Sequence, residues 1–131
     1  MNPIRISGTT RLYGIIGNPI AQARSPETFT EGFAAAGINA VMLPVQVLPE
    51  TFDTSVRGLM ALGNLDGLLV TVPYKARMVE YATRVGETGR CIGAVNALRR
   101  EADGTWTADM FDGAGFITAA YGIPQISTGD M

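Results

Sequence analysis

The stretch Gly67 to Val72 constrains the fold more than any other. Its apolar residues follow one another instead of alternating, so a strand built from them needs cover on both faces. That requirement points to a central parallel strand with helices above and below it. The rest of the chain supplies suitable partners. Leu12 to Ile16 is a short apolar run closed by the turn signal Gly17-Asn18-Pro19, and reads as a second buried strand. Val41 to Val47 reads as a third, with Pro44 pushing it towards a sheet edge. Ser25-Pro26-Glu27 looks like a helix start, with Ser25 as N-cap and Pro26 at the first helical position. Phe29, Phe33 and Ala36 then mark one face, and Gly37 is the stop. Phe52 to Leu62 repeats the helical period through Phe52, Val56, Leu59, Met60 and Leu62 and ends at Gly63. A further amphipathic helix is expected over Lys75 to Val85, with Met78, Val79 and Ala82 inward. Ala94 to Arg99 and Thr105 to Met110 flank Asp103-Gly104, the signal of a tight hairpin. A last helix is expected from Asp112 to Tyr121. The expected fold class is α/β: a three-layer αβα sandwich with a mostly parallel mixed sheet and one antiparallel hairpin.

Composition narrows the chemistry. At 131 residues and 47% hydrophobic, the chain has enough apolar mass for one domain with a sizeable core. Only 17% is charged and the formal net charge is -2, which gives no footprint for nucleic acid or an anionic membrane. There is no histidine at all, so Ser-His-Asp and Cys-His catalytic sets and His-rich metal sites are excluded. One cysteine rules out an internal disulfide and a cysteine-cluster zinc site. Proton transfer must fall to Lys, Tyr, Asp or Glu. The first residues lack a signal-peptide core, and no apolar run approaches the ~20 residues of a membrane span, so a cytoplasmic location is expected.

In open α/β sheets ligands collect at the carboxyl ends of the strands. Four loops fall there: Asn18 to Ser25, Thr71 to Lys75, the Asn96 region, and Met110 to Asp112. Lys75 directly follows the central strand and is placed to sit on a cleft floor, although a lysine there is equally an ordinary solvated residue of a first helical turn. Asp112 opens the last expected helix, where N-capping would explain it as well. Together a Lys and an Asp at neighbouring strand ends make a plausible proton-transfer unit. Ser25 has a capping role, and the same helix start, beside Arg24, suits an anionic substrate group. Thr71 and Asn96 are polar groups that local hydrogen bonds could equally satisfy. Cys91, Trp106 and Tyr121 read as packing residues. Gly113-Ala114-Gly115 begins like a dinucleotide fingerprint, but it lies inside an expected helix and lacks the third glycine.

Five segments in order and in register resemble the substrate-binding domain of the shikimate dehydrogenase family. They are Gly14-Ile15-Ile16-Gly17-Asn18-Pro19-Ile20-Ala21, Arg24-Ser25-Pro26, Val70-Thr71-Val72-Pro73-Tyr74-Lys75, Ile92-Gly93-Ala94-Val95-Asn96-Ala97 and Asp112-Gly113. The resemblance runs from about Leu12 to Tyr121. It implies interconversion of 3-dehydroshikimate and shikimate with NADP, the cofactor being held by a separate Rossmann domain and none by this domain alone. It implies Lys75 as catalytic acid/base and Asp112 as its partner and substrate ligand. Ser25, Thr71 and Asn96 would bind the substrate, a small polyhydroxylated cyclic acid. No metal and no cofactor-binding residue is implied here. Residues 1–121 are then the substrate-binding domain, and residues 122–131 a linker towards the Rossmann domain. The family pattern also shows departures. Its His-Ser-x-Ser-Pro is Gln22-Ala23-Arg24-Ser25-Pro26 here, its Asn-Val-Thr is Leu69-Val70-Thr71, and its Asn-Thr-Asp is Met110-Phe111-Asp112. A more apolar pocket and an altered substrate preference are the expectation. A non-catalytic small-metabolite-binding module is the alternative.

Overall fold

The structure, a computed structural model, describes residues 4–111. The last expected helix (Asp112 to Tyr121), Gly113-Ala114-Gly115, and the expected linker lie outside the described residues, as does Asp112 itself. The elements are β1 (Arg11–Gly17), α1 (Ser25–Ala35), β2 (Ala40–Gln46), α2 (Phe52–Met60), β3 (Leu65–Val70), β4 (Arg84–Val85), α3 (Glu87–Ile92), β5 (Ala97–Arg100) and β6 (Trp106–Asp109). Short 3₁₀ turns cover Pro49–Thr51 and Arg77–Tyr81.

The six strands form one mixed sheet in the order β2-β1-β3-β5-β6-β4. β1 pairs in parallel with both β2 and β3, and β4 pairs in parallel with β6. β5 runs antiparallel to β3 and to β6, which it meets in the expected hairpin. β3 lies inside the sheet and β2, which carries Pro44, is an edge strand.

Consecutive residues serve opposite faces, as the pleat requires. Ile15 and Leu69 join Phe29 and Phe33 of α1 in one core; Ile16, Leu68 and Val70 join Phe52 and Val56 of α2 in the other. This explains why the apolar runs of β1 and β3 do not alternate. Each face carries its own hydrophobic layer, and the three-layer arrangement follows.

Several local expectations change. Ser25 is the first helical residue and not the cap. The cap position is Arg24, already in helical conformation and with no side-chain capping bond. An N-cap needs an extended residue to turn its side-chain oxygen back onto the helix, and the chain here enters α1 already coiled. Ala36 and Leu62 fall beyond their helices and are exposed.

The helix expected over Lys75 to Val85 is replaced by the 3₁₀ turn and β4. The Thr83 N–H donates to the Trp106 carbonyl at 2.8 Å and Gly86 N–H to the Ala108 carbonyl at 2.8 Å, so pairing with β6 draws the chain into the sheet. Long-range ladder bonds here override a helical period carried by only a few apolar residues.

α3 was not expected. It ends at Gly93, whose φ of 78° gives the left-handed C-terminal cap. Its start depends on a residue far along the chain. Asp109 accepts the Gly89 N–H at 2.7 Å, and a Cβ on Gly86 would fall 1.9 Å from the Asp109 carboxylate.

Candidate functional site

The carboxyl ends of β1, β2 and β3 meet the start of β5, and backbone hydrogen bonds tie their loops together. The Gly17 carbonyl accepts from Val47 N–H (3.1 Å), the Ile16 carbonyl from Thr71 (2.9 Å), and the Val72 carbonyl from Asn18 (3.1 Å). Further along, Val70 donates to the Asn96 carbonyl (2.9 Å) and Val95 to the Lys75 carbonyl (2.9 Å). Thr71 and Lys75, which follow β3, are thereby brought together with Asn96, more than twenty positions further along the chain, at one end of the strands. The Asn18-Pro19 and Val72-Pro73 peptide bonds in these loops are both cis.

The three site residues differ in what their side chains do. Thr71 and Lys75 are half-buried, and among the described residues neither side chain has a hydrogen-bond or ion-pair partner. They therefore have donors to offer a ligand. Ser25, also half-buried, lies at the start of α1 with its hydroxyl likewise unpaired among the described residues. Asn96 is committed: its Oδ1 accepts the Phe111 N–H at 2.9 Å and its Nδ2 donates to the Phe111 carbonyl at 3.0 Å. Phe111 is the residue before Asp112.

Two supporting residues escaped the sequence reading. In the sequence Gly17 marks only a turn. A Cβ there would lie 2.4 Å from the Thr71 methyl and 3.2 Å from the Val72 carbonyl, so the absence of a side chain lets β1 and the Thr71 loop approach. Tyr74, 3% exposed, donates its phenol hydrogen to the Val47 carbonyl at 2.5 Å and packs its ring on Phe52 at 4.5 Å. It anchors the turn that carries Lys75. Burial pushes the Tyr74 phenol above its ordinary range, so the group remains a donor. Neither signal is local: each depends on which segment the fold places opposite.

Three of the departures from the family pattern, Ala23, Leu69 and Phe111, gather in one place. Leu69 is buried in the α1-side core, and Ala23 and Phe111 pack against that same cluster along with Ile20. A separate cleft of about 650 Å³, lined by Arg57, Met60, Ala61, Glu80, Tyr81 and Trp106, lies beside the amino end of β6, away from these loops. Its Trp106 is a core residue beneath the Arg100 guanidinium, 5.0 Å from the ring centre. Among the described residues no cluster of three potential metal ligands exists.

A mixed α/β sheet with helices on both faces, and hydroxyl and ammonium donors unpaired among the described residues at the carboxyl ends of its parallel strands, defines a small-molecule-binding domain of the α/β class. The family description "Shikimate dehydrogenase substrate binding domain" matches residues 15–98. The shikimate dehydrogenase (NADP(+)) of Rubrobacter xylanophilus is 42% identical over 119 residues, which cover 91% of this chain and 42% of that protein. Among solved structures, shikimate 5-dehydrogenase from Listeria monocytogenes in complex with shikimate and NAD superposes with a TM-score of 0.77 at 34% identity, covering 88% of this chain and 39% of that one. Shikimate dehydrogenase from Aquifex aeolicus gives a TM-score of 0.75 at 34% identity, over 80% of this chain and 39% of that one. The chain belongs to the shikimate dehydrogenase family and carries its substrate-binding domain. It spans about two fifths of the length of these relatives.

Proposed function

We propose that this domain holds the substrate of an NADP-dependent oxidoreductase that interconverts 3-dehydroshikimate and shikimate or a related cyclic polyol and keto acid. The observation that carries the proposal is the loop network that brings Thr71, Lys75 and Asn96 together where β3 ends and β5 begins, with the Lys75 ammonium unpaired among the described residues. In the reducing direction Lys75 gives a proton to the oxygen of the substrate carbonyl as that oxygen gains charge; in the oxidising direction it takes the hydroxyl proton back. Asp112 holds the protonated lysine and accepts from the neighbouring hydroxyl. Ser25 and Thr71 donate to substrate oxygens, and Asn96 offers its second amide hydrogen. The nicotinamide cofactor supplies or accepts the hydride. A Rossmann domain reached through residues 122–131 would hold it, with residues 1–121 as the substrate half and the whole in the cytoplasm.

The altered preference rests on the Ala23, Leu69 and Phe111 cluster. A hydrogen bond to a charged group is worth roughly 1.5–3 kcal/mol, so the hydroxyl missing at Ala23 weakens carboxylate binding by about one to two powers of ten. Substrates are therefore expected to range beyond shikimate itself.

The test uses the full-length protein with its cofactor domain. Lys75→Ala is expected to abolish turnover while the circular dichroism spectrum stays native. Surviving turnover would remove Lys75 from its role. Steady-state comparison of shikimate, quinate and other cyclic polyols tests the preference, and a shikimate efficiency equal to that of ordinary family members overturns it. If no NADP-dependent oxidation of any such compound is found while one of them binds, the metabolite-binding module replaces the enzyme.

A further inference from the structure

β2 is the longer of the two edge strands. Its seven residues, Ala40–Gln46, carry no charge, whereas β4 at the opposite edge has two residues, one of them Arg84. A long uncharged edge offers a row of N–H and C=O groups to any extended segment that meets it. The β1–β2 ladder identifies those groups. Arg11 N–H donates to the Asn39 carbonyl at 3.0 Å and Val47 N–H to the Gly17 carbonyl at 3.1 Å, in one unbroken register. Alternate residues face the partner strand, so Val41, Leu43 and Val45 face β1 while Ala40, Met42 and Pro44 point outward.

Each of these outward positions is closed in a different way. Ala40 N–H donates to the Ile38 carbonyl at 3.0 Å. Met42 N–H donates to Thr30 Oγ1 at 2.9 Å, and the Thr30 hydroxyl donates in turn to the Met42 carbonyl at 3.4 Å. Pro44 has no N–H to give. A hydroxyl both accepts and donates. Thr30, on α1, therefore makes with Met42 the two bonds that a neighbouring strand would make. Ala40 and Met42 are only 6% and 3% exposed, although they lie on an edge.

The segment best matched to this edge is β2 of another copy. Antiparallel pairing about Met42 sets Met42 opposite Met42 of the second copy, where directly opposed residues exchange both backbone bonds. Ala40 then lies opposite Pro44, and Leu43, 41% exposed, lies opposite Val41. No like charges oppose one another, and the contact is its own complement, so it closes as a dimer. A hollow of about 210 Å³ beside Thr30, Ala34, Ile38 and Ala40 leaves space between α1 and this edge. We propose that Thr30, together with Pro44, is a latch that closes the β2 edge to strand addition by a second copy of this chain. The latch is independent of the enzymatic reading.

The test uses the full-length protein. Thr30→Val keeps the size of the side chain and loses the hydroxyl. It is expected to speed hydrogen exchange of the Met42 amide about tenfold and to leave the Val41 amide, on the β1 side, unchanged. Thr30→Ser is expected to restore the protection. A Met42 rate that is the same in Thr30→Val and in the natural protein overturns the latch. Thr30→Ala combined with Pro44→Val opens the edge. In sedimentation velocity its weight-average mass is expected to rise with concentration towards twice that of the natural protein, with Met42 regaining protection as it does so. A mass that stays at the natural value shows that the body of α1, and not the Thr30 hydroxyl, closes the edge, and overturns the proposal. Association without recovery at Met42 overturns it too, because the contact then lies elsewhere. Should the double variant fail to fold, Thr30→Ala alone is read in the same way.

Discussion

Tyr74→Phe tests how the Lys75 turn is held. The Tyr74 hydroxyl donates to the Val47 carbonyl at 2.5 Å, and the two residues are 3% and 1% exposed. The Val47 N–H is engaged with the Gly17 carbonyl, so the backbone at Val47 is fixed from that side as well. Phenylalanine keeps the ring and its contact with Phe52 but removes the donor. The Val47 carbonyl is then buried without a partner, which costs about 1–3 kcal/mol. Taking ~2 kcal/mol, and about 4 °C per kcal/mol for a chain of this size, Tm should fall by roughly 8 °C. Thermal and urea unfolding followed by circular dichroism measure it, with an unchanged m-value showing that the unfolded state is the same. A loss under about 0.5 kcal/mol would mean that water reaches the Val47 carbonyl, and the argument from burial would fail. pH gives a second arm. Burial raises the Tyr74 phenol in the folded protein. Its contribution is complete below the unfolded pKa of about 10 and is lost as pH rises through the folded value. The difference in stability between the natural protein and Tyr74→Phe should therefore shrink in that alkaline range.

Gly17→Ala places a methyl 2.4 Å from the Thr71 Cγ2. It should displace Thr71 and, on the proposed role of this site, lower kcat/KM of the full-length protein about tenfold or more, with about 1–3 kcal/mol lost in urea unfolding. Gly86→Ala drives a methyl to within 1.9 Å of the Asp109 carboxylate, which Gly89 and Met110 N–H groups hold in place. A loss of roughly 2–3 kcal/mol in the unfolding free energy measured in urea is expected. Hydrogen bonds from Tyr81 and then Arg57 hold the exposed Asp53 carboxyl below its ordinary range. Its contribution is present at neutral pH and is lost as pH falls below about 4. Thermal melts across that range should show the Tm gap between the natural protein and Asp53→Asn closing as the solution becomes more acid.

The strands were legible because their apolar runs are short and bounded by glycine, asparagine and proline. β1 and β2 fall within a residue or so of the expected ranges, and Asp103-Gly104 marks the β5–β6 hairpin. The segment from Lys75 to Val85 was not legible. Its apolar spacing fits a helix, and only the pull of β6 on Thr83 and Gly86 turns it into a 3₁₀ turn and a strand. α3 was hidden for a related reason, because the carboxylate that caps its first turn comes from Asp109, twenty positions away.

For the site, residue types at strand ends identified Lys75, Thr71, Ser25, Asn96 and Asp112 as a polar set, and five motifs in register linked the chain to its family. Motif spacing is carried by covalent order, so the sequence alone determined the family, the α/β class, and the exclusion of histidine chemistry. It could not reveal which polar groups stay available to a ligand. Only the tertiary structure shows Asn96 spending its amide on Phe111 while the Thr71 hydroxyl and the Lys75 ammonium have no partner among the described residues, and it gathers Ala23, Leu69 and Phe111 into one apolar cluster. Whether a donor is free depends on which acceptor the fold brings within about 3 Å of it, and that acceptor comes from a distant part of the chain.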